Sequence, residues 1–224
     1  MWCIAELDEE YIERMEDVLA TYEKPLNEQE PVVCLDEKSV TLHQDVRAGR
    51  AMKPGHVAKR DYEYKRCGTA NAFCAVEAKA GVHFTEITAT RSAQEFAVVL
   101  KKIADHYPEA KRIHLVMDNL NTHTRKSLVD QMGAEEGGKL WNRFQVHYTP
   151  KHGSWLNQAE IEISLFARQC LGRRRIGDRK TLQAEAKRWN KNVNEKKLKI
   201  NWTFDRDRAR KKFGYQPKFK RSET

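Results

Sequence analysis

Nothing in the sequence approaches the ~20 consecutive apolar residues of a membrane span, and its first residues lack a basic region followed by an apolar run. A soluble, unexported, cytoplasmic protein with no membrane partner is therefore expected. Cysteine is scarce: Cys3, Cys34, Cys67, Cys74 and Cys170 are odd in number, scattered, and form no CxxC pair. That pattern excludes a disulfide framework and a structural zinc site, and leaves five reduced thiols. Internal repeats and low-complexity tracts are also missing. What remains is a chain of 224 residues, 40% hydrophobic, enough for one substantial core and one domain with appendages.

Charge is plentiful and unevenly spread within a net +9. Residues 1–30 carry ten acidic side chains against Arg14 and Lys24, a net −8, whereas residues 151–224 carry 21 basic and 8 acidic ones, a net +13. A basic end of that kind binds a phosphate backbone by releasing counterions, or serves only as a solvated tail.

Hydrophobic periodicity divides the chain into an α/β layout. Tyr11, Ile12, Met15, Val18 and Leu19 lie at helical spacing within residues 8–22, and Pro25 and Pro31 mark a connector. Val32 to Leu35 is a short apolar run ending at Asp36, and residues 40–46 alternate as a second strand. An exposed loop is expected over 47–67, strands over 69–76 and 82–88, and a helix over 91–107 entered through Ser92 as N-cap. Ile113 to Met117 is another apolar run ending at an aspartate, Asp118. The pattern then predicts a helix over 127–132 broken by Gly133 and Gly137-Gly138, and a strand over 144–148. Helices over 157–171, 181–193 and 205–212 complete it.

Two apolar strands that each end in aspartate place carboxylates at the carboxyl edge of a sheet, where α/β chemistry collects. Turn or cap chemistry is the alternative for each. On a helix advancing ~100° per residue, Ile163, Ala167, Cys170 and Leu171 fall within about 80° of Glu160, so Glu160 is expected on the core-facing side and Glu162 on the polar side. A capping box with Asn157 is the competing role for Glu160. Three carboxylates without other ligands make an oxygen-rich site for Mg²⁺ or Mn²⁺, in which two ions can drive an in-line phosphoryl displacement.

Three blocks carry a family resemblance: Cys34-Leu35-Asp36-Glu37-Lys38-Ser39, then Val116-Met117-Asp118-Asn119-Leu120-Asn121-Thr122-His123, then Pro150-Lys151-His152-Gly153-Ser154-Trp155-Leu156-Asn157-Gln158-Ala159-Glu160. Their order and wording resemble the signature blocks of mariner-like transposases in the bacterial insertion-sequence branch, over a span from Trp2-Cys3-Ile4 to Asn201-Trp202. The resemblance implies an RNase H-like fold with a mixed central β-sheet flanked by α-helices. It also implies a catalytic, metal-binding triad of Asp36, Asp118 and Glu160. The reaction it implies is metal-dependent DNA cleavage and strand transfer, on double-stranded DNA comprising transposon ends and a TA-containing target, by a homodimer in a bacterial, nucleoid-associated setting. An RNase H-like nuclease or resolvase, and an inactive DNA-binding fragment, are the competing functions.

Residues 1–30 then read as a helix and connector, 31–193 as the catalytic domain, and 194–224 as a basic tail with a short helix. Lys38, His123, His152 and the run Arg173-Arg174-Arg175 are the expected DNA contacts. His123 has a structural role as its alternative, and Trp155 a choice between base stacking and core anchoring. The sequence departs from the family pattern in three places. The spacing from Asp118 to Glu160 is long, with the extra length expected as a loop over 133–141. Glu162 stands where an aromatic residue is expected. Only about 30 residues precede the first strand, so the helix-turn-helix units usual in this family are expected to be missing.

Overall fold

A computed structural model describes residues 7–216; Cys3 and the opening Trp2-Cys3-Ile4 lie outside the described residues. The chain forms α1 (Glu9–Glu23), β1 (Val32–Asp45), β2 (Tyr64–Glu77), β3 (Val82–Thr88), α2 (Ala93–His106), β4 (Ile113–Met117), α3 (Arg125–Met132), α4 (Ala134–Asn142), β5 (Phe144–Tyr148), α5 (Ala159–Leu165), α6 (Arg179–Glu195) and α7 (Arg206–Phe213). The five strands make one sheet in the order β3-β2-β1-β4-β5. β1, β2 and β3 pair antiparallel, while β1, β4 and β5 run parallel. This is an α/β fold with a mixed sheet flanked by helices in an RNase H-like arrangement.

Alternation along the strands splits the core between the two faces of the sheet. Val33, Leu35, Phe73, Leu115 and Met117 pack against Phe96, Leu100 and Ile103 of α2 and Leu128 of α3. On the other face Ala72 and Cys74 meet Phe166, Leu182 and Trp189, and Cys34 and Val116 meet Met15 and Leu19 of α1, with Ala209 of α7 in the same cluster. Each fully buried side chain of the Leu, Ile or Phe kind contributes about 1.5–3 kcal/mol. The four described cysteines, Cys34, Cys67, Cys74 and Cys170, are free. Among the described residues no helix is long and apolar enough to cross a membrane.

Three expectations are corrected. The polar tetrad from Asp36 to Ser39 does not interrupt β1, which runs through it as one 14-residue strand. Hydrogen bonding to β2 continues across it, with Asp36 opposite Cys74 and Lys38 opposite Ala72. The segment expected as a loop over 133–141 is α4 from Ala134 onward; Gly133 ends α3 as expected, but Gly137 and Gly138 lie inside α4 rather than breaking it. A Cβ on Gly137 would stand 2.5 Å from the Leu128 carbonyl oxygen, so α3 and α4 approach closely only because that position is glycine. The helix expected over 157–171 is a short 3-10 turn (Ser154–Leu156), then α5, then a π-helical turn (Phe166–Leu171).

A chain of side chains fastens α1 to the parallel strands. Lys24 Nζ lies 2.8 Å from His114 Nε2, His114 Nδ1 2.9 Å from His147 Nε2, and His147 Nδ1 2.7 Å from Asp17 Oδ2. Burial, then the charges of Lys24 and His147, lower the His114 pKa from 6.5 to about 4. The unfolded chain takes up this proton below about pH 6.5 and the folded one only near pH 4, so stability falls with pH across that window, by up to about 3 kcal/mol. Urea unfolding at pH 7 and pH 4.5 checks this: His114→Gln is expected to show the smaller loss on acidification.

Candidate active site

The parallel register of β1 and β4 sets the geometry. Val32 is level with His114 and Cys34 with Val116, where the pairing ends; Asp36 and Asp118 each follow two residues further along their own chain segments. Strand alternation turns Asp36 to the face of Cys34, towards α5, and Glu37 to the face of Leu35, towards α2. Asp36 lies at the carboxyl end of the parallel pairing and not at the end of its strand.

Asn157 ties the third block to this point. Its Nδ2 donates to the Leu35 carbonyl at 2.9 Å and to Asp36 Oδ2 at 3.3 Å, and its Oδ1 accepts from the Ala159 N–H at the start of α5. Tyr22 supports the same corner, its hydroxyl donating to the Leu156 carbonyl at 2.9 Å. The Glu37 N–H donates to Asp36 Oδ1 at 2.7 Å. Burial raises the Asp36 pKa from 3.8 to about 7, opposed by that hydrogen bond and reinforced by the charges of Glu160 and Asp118.

Beneath Asp118, His123 takes the structural role that the sequence offered beside a DNA contact, with a partner, Glu37, that sequence reasoning missed. His123 is fully buried, with Nε2 2.7 Å from Glu37 Oε1 and Nδ1 2.7 Å from Asp118 Oδ1. The same Nδ1 lies 3.2 Å from the Asp118 carbonyl, and no donor is aligned on the buried Asp118 Oδ1. Burial lowers the His123 pKa, but the hydrogen bonds and charges of Asp118 and Glu37 outweigh it and carry it to about 10. Glu37, Asp118 and His123 offer ligand atoms all within 4.8 Å of one another, so the tightest grouping is a glutamate, an aspartate and a histidine rather than the three expected carboxylates. A carboxylate-rich donor set with an orphaned buried oxygen fits a divalent cation.

Glu160 and Glu162 occupy the reverse of their expected faces. Glu160 is exposed; Glu162 is fully buried, with Oε2 2.8 Å from His83 Nδ1. The face turned to the sheet is Ala159, Glu162, Phe166 and Cys170. Of the four residues used to orient the helix, only Cys170 is buried. Glu162 thus takes the core position, where burial raises its pKa and the hydrogen bond and charge of His83 oppose that rise. Against burial, which lowers it, the hydrogen bond and charge of Glu162 raise the His83 pKa. The signal was the alternation His83, Thr85, Ile87 on the buried face of β3, which demands a partner for a core histidine. Asn157 does not form the capping box; Glu160 N–H reaches only its carbonyl, at 3.1 Å.

Several expected DNA contacts are also relocated. His123 is too buried to meet a phosphate. Arg175 is spent inside the fold, on Asp45 at 2.6 Å, the carbonyls of Glu63 and Tyr62, and the Tyr64 ring at 5.1 Å. Arg174 pairs with Glu185 at 2.7 Å and with the Cys170 carbonyl. Arg173 and His152 are exposed, and Lys38 is half-buried on β1. Trp155 is 40% exposed, donates to the Tyr11 hydroxyl at 3.2 Å and packs edge-on to Phe204, an anchor for the carboxyl-terminal segment.

An RNase H-like sheet with a carboxylate and histidine cluster at its central strands defines a metal-dependent, nuclease-like enzyme. The chain belongs to the DDE superfamily endonucleases, whose family model matches residues 31–183, well over half of it. No curated protein matches the chain. Among solved structures it is similar to the Mos1 mariner paired end complex with Mn, at 19% identity and TM-score 0.55, over 88% of this chain and 62% of that one. The Mos1 transposase paired-end complex with left transposon end is similar at 16% identity and TM-score 0.55, over 88% and 61%. The complex with Mg is similar at 18% and 0.52, over 87% and 59%. The shared property is the mariner transposase fold, and the chain spans about three fifths of the length of those proteins.

Proposed function

We propose that this chain is the catalytic domain of a DNA transposase, cleaving and transferring DNA strands by in-line phosphoryl displacement, with Asp36, Asp118 and Glu160 holding two Mg²⁺ or Mn²⁺ ions. The observation that carries the reading is Asn157, which ties the first turn of the Glu160 helix to the Asp36 carboxylate, beside the parallel pairing of β1 and β4 that ends two residues before Asp36 and Asp118. The raised Asp36 pKa supports it, because a carboxylate disfavoured first by burial and then by the charges of Glu160, Asp118 and Glu37 is stabilised in its charged form by a cation. When bound, such ions supply an activated water or 3′-hydroxyl and stabilise the leaving oxygen. The chain's own residues orient: Glu37 N–H and Asn157 hold the two oxygens of Asp36.

Duplex DNA as substrate is supported by the net +13 of residues 151–224 and by the similar solved complexes, described as paired-end complexes with Mn, with Mg and with a transposon end. In this reading two copies pair two ends, the target contains TA, and Lys38, His152 and Arg173 contact phosphates. A second reading, an ion among Glu37, Asp118 and His123, is favoured by their mutual closeness. Incubation of the full chain with plasmid DNA checks the proposal: nicked and strand-transferred products are expected with Mg²⁺ or Mn²⁺ and none with chelator. Absence of both products with either metal, at protein excess, contradicts it.

A further inference from the structure

We infer that the outer edge of β3 holds a docking cleft for the main chain of an extended, acidic peptide from another protein, seated on the strand rung at Thr85 that α6 leaves open. The cleft lies two strands away from β1 and its Asp36, and takes no part in the reaction proposed above.

β3 is an edge strand, and α6 caps rungs of that edge with side-chain amides in place of a sixth strand. Asn194 Oδ1 accepts from the His83 N–H at 2.8 Å, and Asn194 Nδ2 donates to the His83 carbonyl at 2.8 Å. Further along the edge, Gln183 Nε2 donates to the Ile87 carbonyl at 3.0 Å. His83 and Ile87 therefore turn these groups away from β2, and by the alternation of an antiparallel pair Thr85, midway between them, does the same. Among the described residues no side chain caps the Thr85 N–H or carbonyl as Asn194 and Gln183 cap its neighbours. An open rung on an edge strand is a template for pairing with another chain.

That rung lines a cleft of about 350 Å³ between α2 and α6, together with Glu86, Lys102, Gln183, Lys187 and Asn190. The size is at the lower end of the ~300–1,000 Å³ usual for ligand-binding clefts. Polar groups in its lining are unmet. Thr85 is nine-tenths buried and its Oγ1 has no hydrogen-bond partner, with the weakly polar Cys74 thiol beside it; the buried Asn190 Oδ1 has none either. Buried polar groups are ordinarily paired, so these two orphans beside an open rung mark a place for a hydrogen-bonding ligand. A recess of about 70 Å³ leads from Lys102 and Asn190 to Phe84, Val99 and Ile103, and suits a small apolar side chain. Charge then selects the peptide: Lys102 is paired with Glu86 at 2.7 Å, whereas Lys187 has no acidic partner among the described residues, so the cleft keeps a positive charge. An extended acidic peptide meets all of these needs at once, with backbone groups for the Thr85 rung, an apolar side chain for the recess and a carboxylate for Lys187. A DNA phosphate would meet Lys187 but, having no donor, would leave the Thr85 carbonyl and Asn190 Oδ1 unpaired.

The test is ¹⁵N–¹H NMR of the full chain titrated with acetyl-Glu-Val-Glu-amide. Saturable shifts are expected in the backbone amides of Thr85, Ile87 and Lys187 and in the side-chain amide of Asn190. Acetyl-Lys-Val-Lys-amide is expected to leave them in place. N-methylation of the valine nitrogen removes the N–H offered to the edge and is expected to weaken binding at least about fivefold. Lys187→Glu, at an exposed helix position, is expected to weaken it at least about threefold with an unchanged thermal melt. A Thr85 amide unmoved by the acidic peptide means a cleft filled by water alone and overturns the inference. Equal binding of the basic or the N-methylated peptide overturns it too, as does a shift at Thr85 produced by a DNA duplex and not by the peptide. No step of the titration needs a metal ion or DNA cleavage, so its outcome stands apart from that of the nicking assay.

Discussion

Asp36→Asn is expected to reduce metal-dependent DNA cleavage by at least about 10³-fold while leaving the metal-free fold as stable as before or more so. The substitution keeps the shape and the hydrogen bond accepted from the Glu37 N–H, and gives up only the longer contact with Asn157 at 3.3 Å. What disappears is a charge that burial and three neighbouring carboxylates disfavour. An acid whose pKa rises from 3.8 to about 7 on folding costs stability at every pH above its unfolded value, fully so above pH 7. Removing it returns on the order of 3 kcal/mol at neutral pH without metal. Nicking rates and urea melts of the metal-free protein read the two halves separately. Cleavage within tenfold of the parent would remove Asp36 from the metal-holding set.

Glu162→Ala is expected to destabilise the protein by roughly 3–5 kcal/mol, because it breaks a fully buried pair and leaves His83 Nδ1 without its partner. The other ring nitrogen of His83 faces the Leu198 carbonyl at 2.7 Å, so the histidine cannot turn elsewhere for an acceptor. At about 2–4 °C per kcal/mol for a chain of this size, thermal unfolding drops by about 6–20 °C. Glu160→Gln, at an exposed position two residues away, is expected to stay within about 0.5 kcal/mol of the parent while losing activity. The two glutamates thus separate cleanly, one by stability and the other by cleavage. A larger stability loss for Glu160→Gln than for Glu162→Ala would reverse the assignment of the two faces.

Much of this was legible in the sequence, and the exceptions have physical causes. The apolar runs ending at Asp36 and Asp118 and the three motif blocks located the site, because strands buried on both faces read as continuous apolar segments. β1 looked divided because the residues from Asp36 to Ser39 are polar. They are polar because the parallel partner β4 stops at Met117, leaving that stretch of β1 to line the site while β2 continues the ladder. The facing of α5 was misread because a wheel drawn at constant pitch over residues 157–171 crosses a 3-10 turn, a short α-helix and a π-helical turn, so the phase drifts along it. Composition made Glu162 look polar, and only a long-range partner, His83, explains its burial. The same holds for Glu37 and His123, 86 residues apart in the chain and 2.7 Å apart in the fold.

The central claim is that Asp36, Asp118 and Glu160 together hold the catalytic metal. Anomalous diffraction from crystals of this chain soaked in Mn²⁺ tests it most directly. The account predicts peaks bounded by those three carboxylates. Peaks centred among Glu37, Asp118 and His123, or none within reach of Asp36, would contradict it.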